Sequence, residues 1–323
     1  MPAWDWLIIE TLQVLLRHSQ ESERLVRTRL YPLFSASLRE KELLPNFSTL
    51  FRARISCMSF SRTSYFKDNN GVDSANQDPI FFMHLSIIIP AFNEERLIEC
   101  CLQSISASLT ANDRPGFTSE IIVVDNNSTD TTAELARQAG AQVVFEPINQ
   151  IGRARNAGAA VAAGDWLLFV DGDSILSPGL LADILQLIED GRSVGCGSTV
   201  KMHGLPWWAH WMLQLWTRVS ILCRWAAGAL VVCRSDAFRD VGGFNQELYA
   251  ADEIGLSQQL KKWGRRRGLQ FVILTRHPLD TSSRKVQLYS AREMASQILR
   301  VILHPRRSLQ DRTQLPIWYD GRR

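Results

Sequence analysis

The chain has 323 residues, 46% of them apolar and 21% charged, with a formal net charge of +3. Those values are ordinary for a globular protein with room for one large domain, or one domain plus extensions, and the charge is too small to argue for nucleic acid. Six cysteines, at positions 57, 100, 101, 196, 223 and 233, make no C-x-x-C pair and no zinc spacing, so a reducing compartment is the simpler expectation.

Residues 1–82 are expected to form a poorly specified N-terminal extension. Trp4–Leu30 reads as an amphipathic helix, and no sustained period runs from Phe34 to Asp78. The start lacks the basic opening and small-residue cleavage site of a signal peptide. Met83 stands immediately before the first convincing strand, and the natural start of translation is expected there. No run of eighteen uncharged apolar residues occurs, so no ordinary transmembrane helix is expected.

From His84 the text becomes regular. Leu85–Pro90 predicts a buried strand, and Glu94–Leu109 a helix with Leu97, Ile98, Cys101, Leu102 and Ile105 on one face. Glu120–Asp125 predicts a second strand. Ser128-Thr129-Asp130 caps a helix that runs through Ala139 and stops at Gly140. Ala141–Phe145 is a third strand, Gly152–Ala163 a helix of small residues, Trp166–Val170 a fourth strand, and Ser177-Pro178 opens a helix to Asp190. This alternation predicts an α/β fold: a Rossmann-like, mostly parallel sheet with helices on both faces.

The strand ends carry the chemistry. In a parallel sheet Pro90-Ala91-Phe92-Asn93-Glu94, Asp125-Asn126-Asn127-Ser128 and Asp171-Gly172-Asp173 all lie at one edge, where ligands bind in such folds. Carboxylates there accept hydrogen bonds from ribose hydroxyls or a base N–H. The acids Asp171 and Asp173 flank a glycine and repel each other, which suits a divalent cation bridging them to an anionic group. Arg153 and Arg155 sit at the start of a predicted helix, where phosphate is favoured; a helix packed on the sheet with surface arginines is the plainer alternative.

The strings Ser86-Ile87-Ile88-Ile89-Pro90-Ala91-Phe92-Asn93-Glu94, Ile122–Asp130, Arg155-Asn156-Ala157-Gly158 and Asp171-Gly172-Asp173 together resemble family-2 glycosyltransferases, over roughly residues 84–275. The resemblance implies the GT-A fold, a nucleotide-diphospho-sugar donor and inverting transfer. It implies that Glu94 and Asp125 contact the nucleoside, with Pro90, Ala91, Asn126, Asn156 and Gly172 beside the donor and Arg155 near its phosphates. Asp171 and Asp173, a DXD motif, would serve the diphosphate and its Mg²⁺ or Mn²⁺, Asp173 being the direct ligand of first choice. A catalytic domain over 83–275 and a basic, helical tail over 276–323 follow.

The family's acidic pair on the acceptor side corresponds to Asp252-Glu253, in reversed order. The last acid of that pair falls on Glu253, the first choice for the base that takes the acceptor proton, with Asp252 second; a helix cap is compatible with either. Upstream, Ala226–Arg234 and the turn Val241-Gly242-Gly243-Phe244 look like the family's next strand and turn; the small residues at 226–229 would let sugar and acceptor approach the backbone, and a structural turn alone equally explains Gly242-Gly243. Between the halves, Trp207, Trp211 and Leu215 share a helical face. A helix lying on a bilayer or gripping a lipid-linked acceptor and a helix packed on the core both satisfy that pattern. His203 and His210 show no metal-ligand partner. The basic clusters Lys261-Lys262, Arg265-Arg266-Arg267, Arg306-Arg307 and Arg322-Arg323 suit an anionic membrane surface, phosphate, or a solvated face.

The reading is a metal-dependent glycosyltransferase using a donor that is UDP-linked by first choice, acting on a lipid-linked or cell-envelope hydroxyl, in the cytoplasm with peripheral contact at the inner face of the membrane, and with no nucleic-acid partner. Two alternatives stay open. A nucleotidyltransferase also pairs acids on a metal, although it normally brings a Gly- and Lys/Arg-rich loop after the first strand, where this chain is acidic. A non-catalytic nucleotide-sugar binder is the other, kept alive by the reversed acidic pair.

Overall fold

The computed structural model describes residues 82–226 and 228–316. The helix expected over Trp4–Leu30, the irregular stretch Phe34–Asp78, position 227 and the closing Trp318-Tyr319-Asp320-Gly321 lie outside the described residues. Eight strands make one sheet: β1 (Met83–Ala91), β2 (Phe117–Asp125), β3 (Gln142–Phe145), β4 (Trp166–Val170), β5 (Ser174–Ile175), β6 (Ser193–Lys201), β7 (Leu230–Arg234) and β8 (Gln270–Thr281). Their order across it is β3-β2-β1-β4-β7-β6-β8-β5.

Pairing is parallel through β3, β2, β1 and β4, antiparallel where β7 meets β4 and β6, and parallel again between β6 and β8. The carboxyl ends of β1, β2, β4, β6 and β8 therefore share one edge, joined there by the start of β7. The registers fix this: Ala91 stands beside Asp125, and Val170 beside Leu230.

The two-residue period of the strands splits the apolar core in two. Leu85, Ile87, Ile89, Val123, Leu168 and Val170 face one side and meet α1 (Ile98–Ala111) and α4 (Pro178–Glu189). Ile88, Ile122, Val124, Leu167 and Phe169 face the other and meet α3 (Ile151–Val161), α6 (Ser235–Val241) and α7 (Asp252–Arg265). The small residues of α3 are explained by this contact: a Cβ on Gly158 would collide with Ile88 and Val124. Phe169, Phe238 and Phe244 pack ring to ring at 5.0–5.7 Å, tying β4 to α6 and to the turn after it.

Several boundaries shift from the sequence expectation. The first helix begins at Ile98 rather than Glu94, because Asn93 adopts φ 52 and the Glu94 N–H is given to the Thr132 hydroxyl. The second helix, α2 (Thr132–Gln138), starts behind the 128–130 loop; Asp130 accepts from the Thr132 N–H in a capping role. Ser177 caps α4 as expected, accepting from the Leu180 N–H. The boundary expected at 275/276 falls inside β8, which continues to Thr281 beside β6 and β5. Beyond it the chain is helical: α8 (Arg284–Leu288), α9 (Ala291–Leu303), capped by a Ser290–Glu293 capping box, and α10 (Pro305–Gln310).

Two cations of the basic run at the end of α7 are engaged within the protein, while Lys262, Arg265 and Arg266 are exposed. Lys261 donates to the Cys223 carbonyl at the end of α5 (Trp207–Cys223), satisfying an orphan helix group, and Arg267 stacks 3.8 Å over the Trp263 ring. The described cysteines are all free.

Candidate active site

The loops after β1 and β2 lock together before either reaches a ligand. Asn93 gives its N–H to Ser128 Oγ (3.0 Å) and accepts from the Thr129 N–H (2.7 Å). Asp125 accepts from the Ser128 N–H at 2.9 Å, which turns the loop back on itself. Glu94 and Asp125 are thereby held, both mostly buried, at neighbouring strand ends. Pro90 and Ala91 form the floor between them, with the Asn126 N–H bonded to the Ala91 carbonyl at 2.8 Å. The Asn126 side chain is turned away from this floor and donates to the carbonyls of Glu146 and Ile148, positioning the approach to α3.

The two aspartates of the third motif fan apart. Asp171 leans toward α3, where its Oδ1 meets Arg155 Nη2 at 3.0 Å, and its N–H is bonded to Ala229 at the start of β7. Asp173 leans toward β8 and accepts from the Thr281 hydroxyl at 3.4 Å. Gly172 lies between them, against the Pro90 carbonyl. Beside Asp173 opens a cleft of about 290 Å³ lined by Leu97, Cys100, His203, Asp280, Thr281 and Ser283.

Arg155 is the hub. It is 2% exposed and reaches three different segments: Asp171, the Gly228 carbonyl at 2.9 Å, and Asp252 Oδ2 at 3.3 Å, with Glu253 at 4.0 Å. Its guanidinium lies 5.1 Å from the Phe244 ring, and its buried Nε has no hydrogen-bond partner. The neighbouring carboxylates of Asp252, Asp171 and Glu253 hold it even more firmly protonated than a free arginine. The sequence offered Arg155 to phosphate; the structure sets it inside the protein, paired with an acidic cluster. Asn156, offered to the donor, is likewise occupied. Its amide bonds both the N–H and the carbonyl of Phe244, and it fixes the turn at Gly243, where φ is +71 and an added Cβ would stand 2.6 Å from Asn156 Oδ1.

Asp252 and Glu253 open α7 and divide in environment. Asp252 is 1% exposed, faces Arg155, and sits close enough to Gly152 that a Cβ there would approach to 3.1 Å. Glu253 retains 17% exposure of its side chain and lies against Gly228, where φ is +84 and a Cβ would meet Glu253 Oε1 at 2.8 Å. Burial, the Asp252 charge and a hydrogen bond with Asp252 push the Glu253 carboxyl well above the usual carboxylate range, against the opposing pull of Arg155. A carboxyl poised in this way is suited to general-base work.

Three contributors were missed in the sequence. Arg284 Nη2 donates to both oxygens of Glu94 at 2.9 Å, and His203 Nε2 meets Asp280 Oδ2 at 2.8 Å across the Asp173 cleft. Thr281 is the third. All lie at or just beyond the ends of β6 or β8, so only the topology brings them to this edge. Arg284 stands 190 residues from Glu94, a separation no local pattern reports.

The donor set suits a hard divalent cation in one respect. The acids are oxygen ligands, and Asp173 borders an open cleft. Among the described residues no group of three His, Cys, Asp or Glu gathers into an all-protein cage. Mg²⁺-type sites commonly take one or two carboxylates and complete themselves with phosphate oxygens and water, so Asp173 fits that role. Asp171 is engaged by Arg155 through Oδ1.

A mixed, mostly parallel sheet with helices on both faces and acids at its carboxyl edge defines a GT-A fold. The mannosyltransferase PcManGT from Pyrobaculum calidifontis, in complex with GDP-Man and Mn²⁺, shares this fold with a TM-score of 0.50 over 75% of this chain and 66% of that one, at 19% identity. Residues 86–237, just under half of the chain, match the model of glycosyl transferase family 2. An uncharacterized glycosyltransferase of Mycobacterium tuberculosis is 32% identical over 135 residues, 42% of this chain and 56% of that protein. Glycosyltransferase AglE of Haloferax volcanii is 37% identical over 126 residues, 37% and 38% of the two chains. The match thus spans less than two thirds of either relative.

Proposed function

We propose that this chain moves a sugar from a nucleotide-diphospho-sugar, UDP-linked by first choice, to an acceptor hydroxyl with inversion at the anomeric carbon. The observation that carries the proposal is the division of acids along one sheet edge: Glu94 and Asp125 on one side, Asp171 and Asp173 in the middle, and the poised Glu253 on the other. Glu94 and Asp125 receive the nucleoside at the ends of β1 and β2. Asp173, with Asp171 behind it, would hold a Mg²⁺ or Mn²⁺ ion, which when bound supplies positive charge for the leaving diphosphate. Glu253 Oε takes the proton of the acceptor hydroxyl as its oxygen attacks the anomeric carbon from the face opposite the leaving group. Asp252 and Arg155 orient Glu253, and Gly228 lets the reactants approach it without a side chain in the way.

A panel of UDP- and GDP-sugars, scored for nucleoside diphosphate release with and without Mn²⁺, tests the reading. Release that depends on the cation and is lost in Asp173→Asn, with the fold intact by circular dichroism, is the expected outcome. Pyrophosphate as the product indicates nucleotidyl transfer instead. Binding without turnover across the panel indicates a non-catalytic binder.

A further inference from the structure

We propose that α5 is a bilayer-docking helix that holds the cleft against an anionic phospholipid surface. Trp207 is 78% exposed and Trp211 64%, and Leu215, Ile221 and Leu222 continue the same side of the helix into solvent. The side facing the protein uses Ala209, Val219 and Ser220 instead. The reading of this segment as a helix simply packed on the core therefore fails for its aromatic face. Large apolar side chains arrayed in one exposed stripe mark a contact surface.

The charges select the occupant. From Lys201 to Arg224 the chain holds Lys201, Arg218 and Arg224, all exposed, and no Asp or Glu at all. Cations interspersed with exposed tryptophan are the composition of helices lying in the plane of an anionic bilayer interface. No described helix is long and apolar enough to cross a membrane, so α5 would lie flat, over about 25 Å at 1.5 Å per residue.

Position gives the contact a purpose. His203 lines the cleft beside Asp173, and Trp207 follows it by four residues, at most about 14 Å of chain. A bilayer touching α5 would thus lie within reach of the reacting edge, which suits an acceptor carried on a lipid. The docking surface itself does not depend on the transferase reading, because no α5 residue belongs to the acid cluster.

The test is cosedimentation of the full chain with vesicles of phosphatidylcholine alone, or with phosphatidylglycerol at about one lipid in three. Binding to the anionic vesicles only, weakened by salt, is expected. Trp207→Ser with Trp211→Ser should lower the partition coefficient on the order of tenfold or more, and Arg218→Glu at least about fivefold, as each cation near such a surface contributes about that factor. Both variants change exposed positions, and unchanged melting curves and unchanged release of nucleoside diphosphate would confirm that the site is intact. Wild-type protein that ignores anionic vesicles, or variants that bind as well as wild type, would overturn the proposal. So would a vesicle-free dimer that the Trp variants dissociate, since the stripe would then belong to a second copy of the chain.

Discussion

Arg155→Met is the sharpest perturbation of the site. The substitution keeps a long side chain against Phe244 and deletes the guanidinium. It leaves Asp252, 1% exposed, without its cation, frees Asp171, and strips the Gly228 carbonyl of a donor. Breaking a buried ion pair from one side costs about 3–5 kcal/mol, because the remaining charge is buried alone. For a domain of this size each kcal/mol moves Tm by roughly 2–4 °C, so a fall on the order of 10 °C is expected at neutral pH. Thermal melts of Arg155→Met, of Asp252→Asn and of the double variant complete a cycle that measures this directly. The double variant should be less destabilised than the sum of the singles by about 0.5–3 kcal/mol. A single variant melting within about 2 °C of wild type, or additive effects, would refute the brace.

Glu253→Gln should lower kcat by roughly 10²- to 10⁴-fold in a stopped nucleoside diphosphate release assay. The same variant should melt above wild type near pH 8. The folded-state pKa of Glu253 is raised, so its stabilising contribution is present below the ordinary carboxylate range and is lost as pH rises through the raised value. For the same reason the acid limb of the wild-type kcat/KM profile should fall above the ordinary carboxylate range. Asn156→Ala should destabilise by about 1–3 kcal/mol in urea titrations, since the Phe244 N–H and carbonyl lose their partners in a buried turn.

The sheet was legible because its strands are apolar runs bounded by acids and glycines, and helices of ordinary period alternate with them. Leu85–Pro90 and Trp166–Val170 needed no tertiary information to be read as buried strands. The acids at the strand ends were legible for the same reason, since parallel pairing leaves only one edge for them. The burial of Arg155 could not be read locally, because it is decided by Gly228 and Asp252, far off in sequence and near in space. The glycine at 228 reads as a site for close ligand approach, yet the neighbour it first accommodates is the Glu253 carboxyl. The exposed tryptophan stripe on α5 could not be separated from a core face by period alone, because both repeat every three to four residues. Arg284, Thr281 and His203 join the site only through the pairing of β8 with β6 and β5, which no local signal announces.

Calorimetric titration of UDP and of GDP, each with Mn²⁺, into wild-type protein and into Asp125→Asn and Glu253→Gln tests the central claim most directly. The site described here predicts that one of the nucleotides binds wild type and Glu253→Gln alike, because Glu253 serves the acceptor side, while Asp125→Asn weakens it on the order of tenfold through the loss of a charge-assisted hydrogen bond. Binding that is indifferent to Asp125, or lost with Glu253, would contradict the assignment of the nucleoside to the ends of β1 and β2.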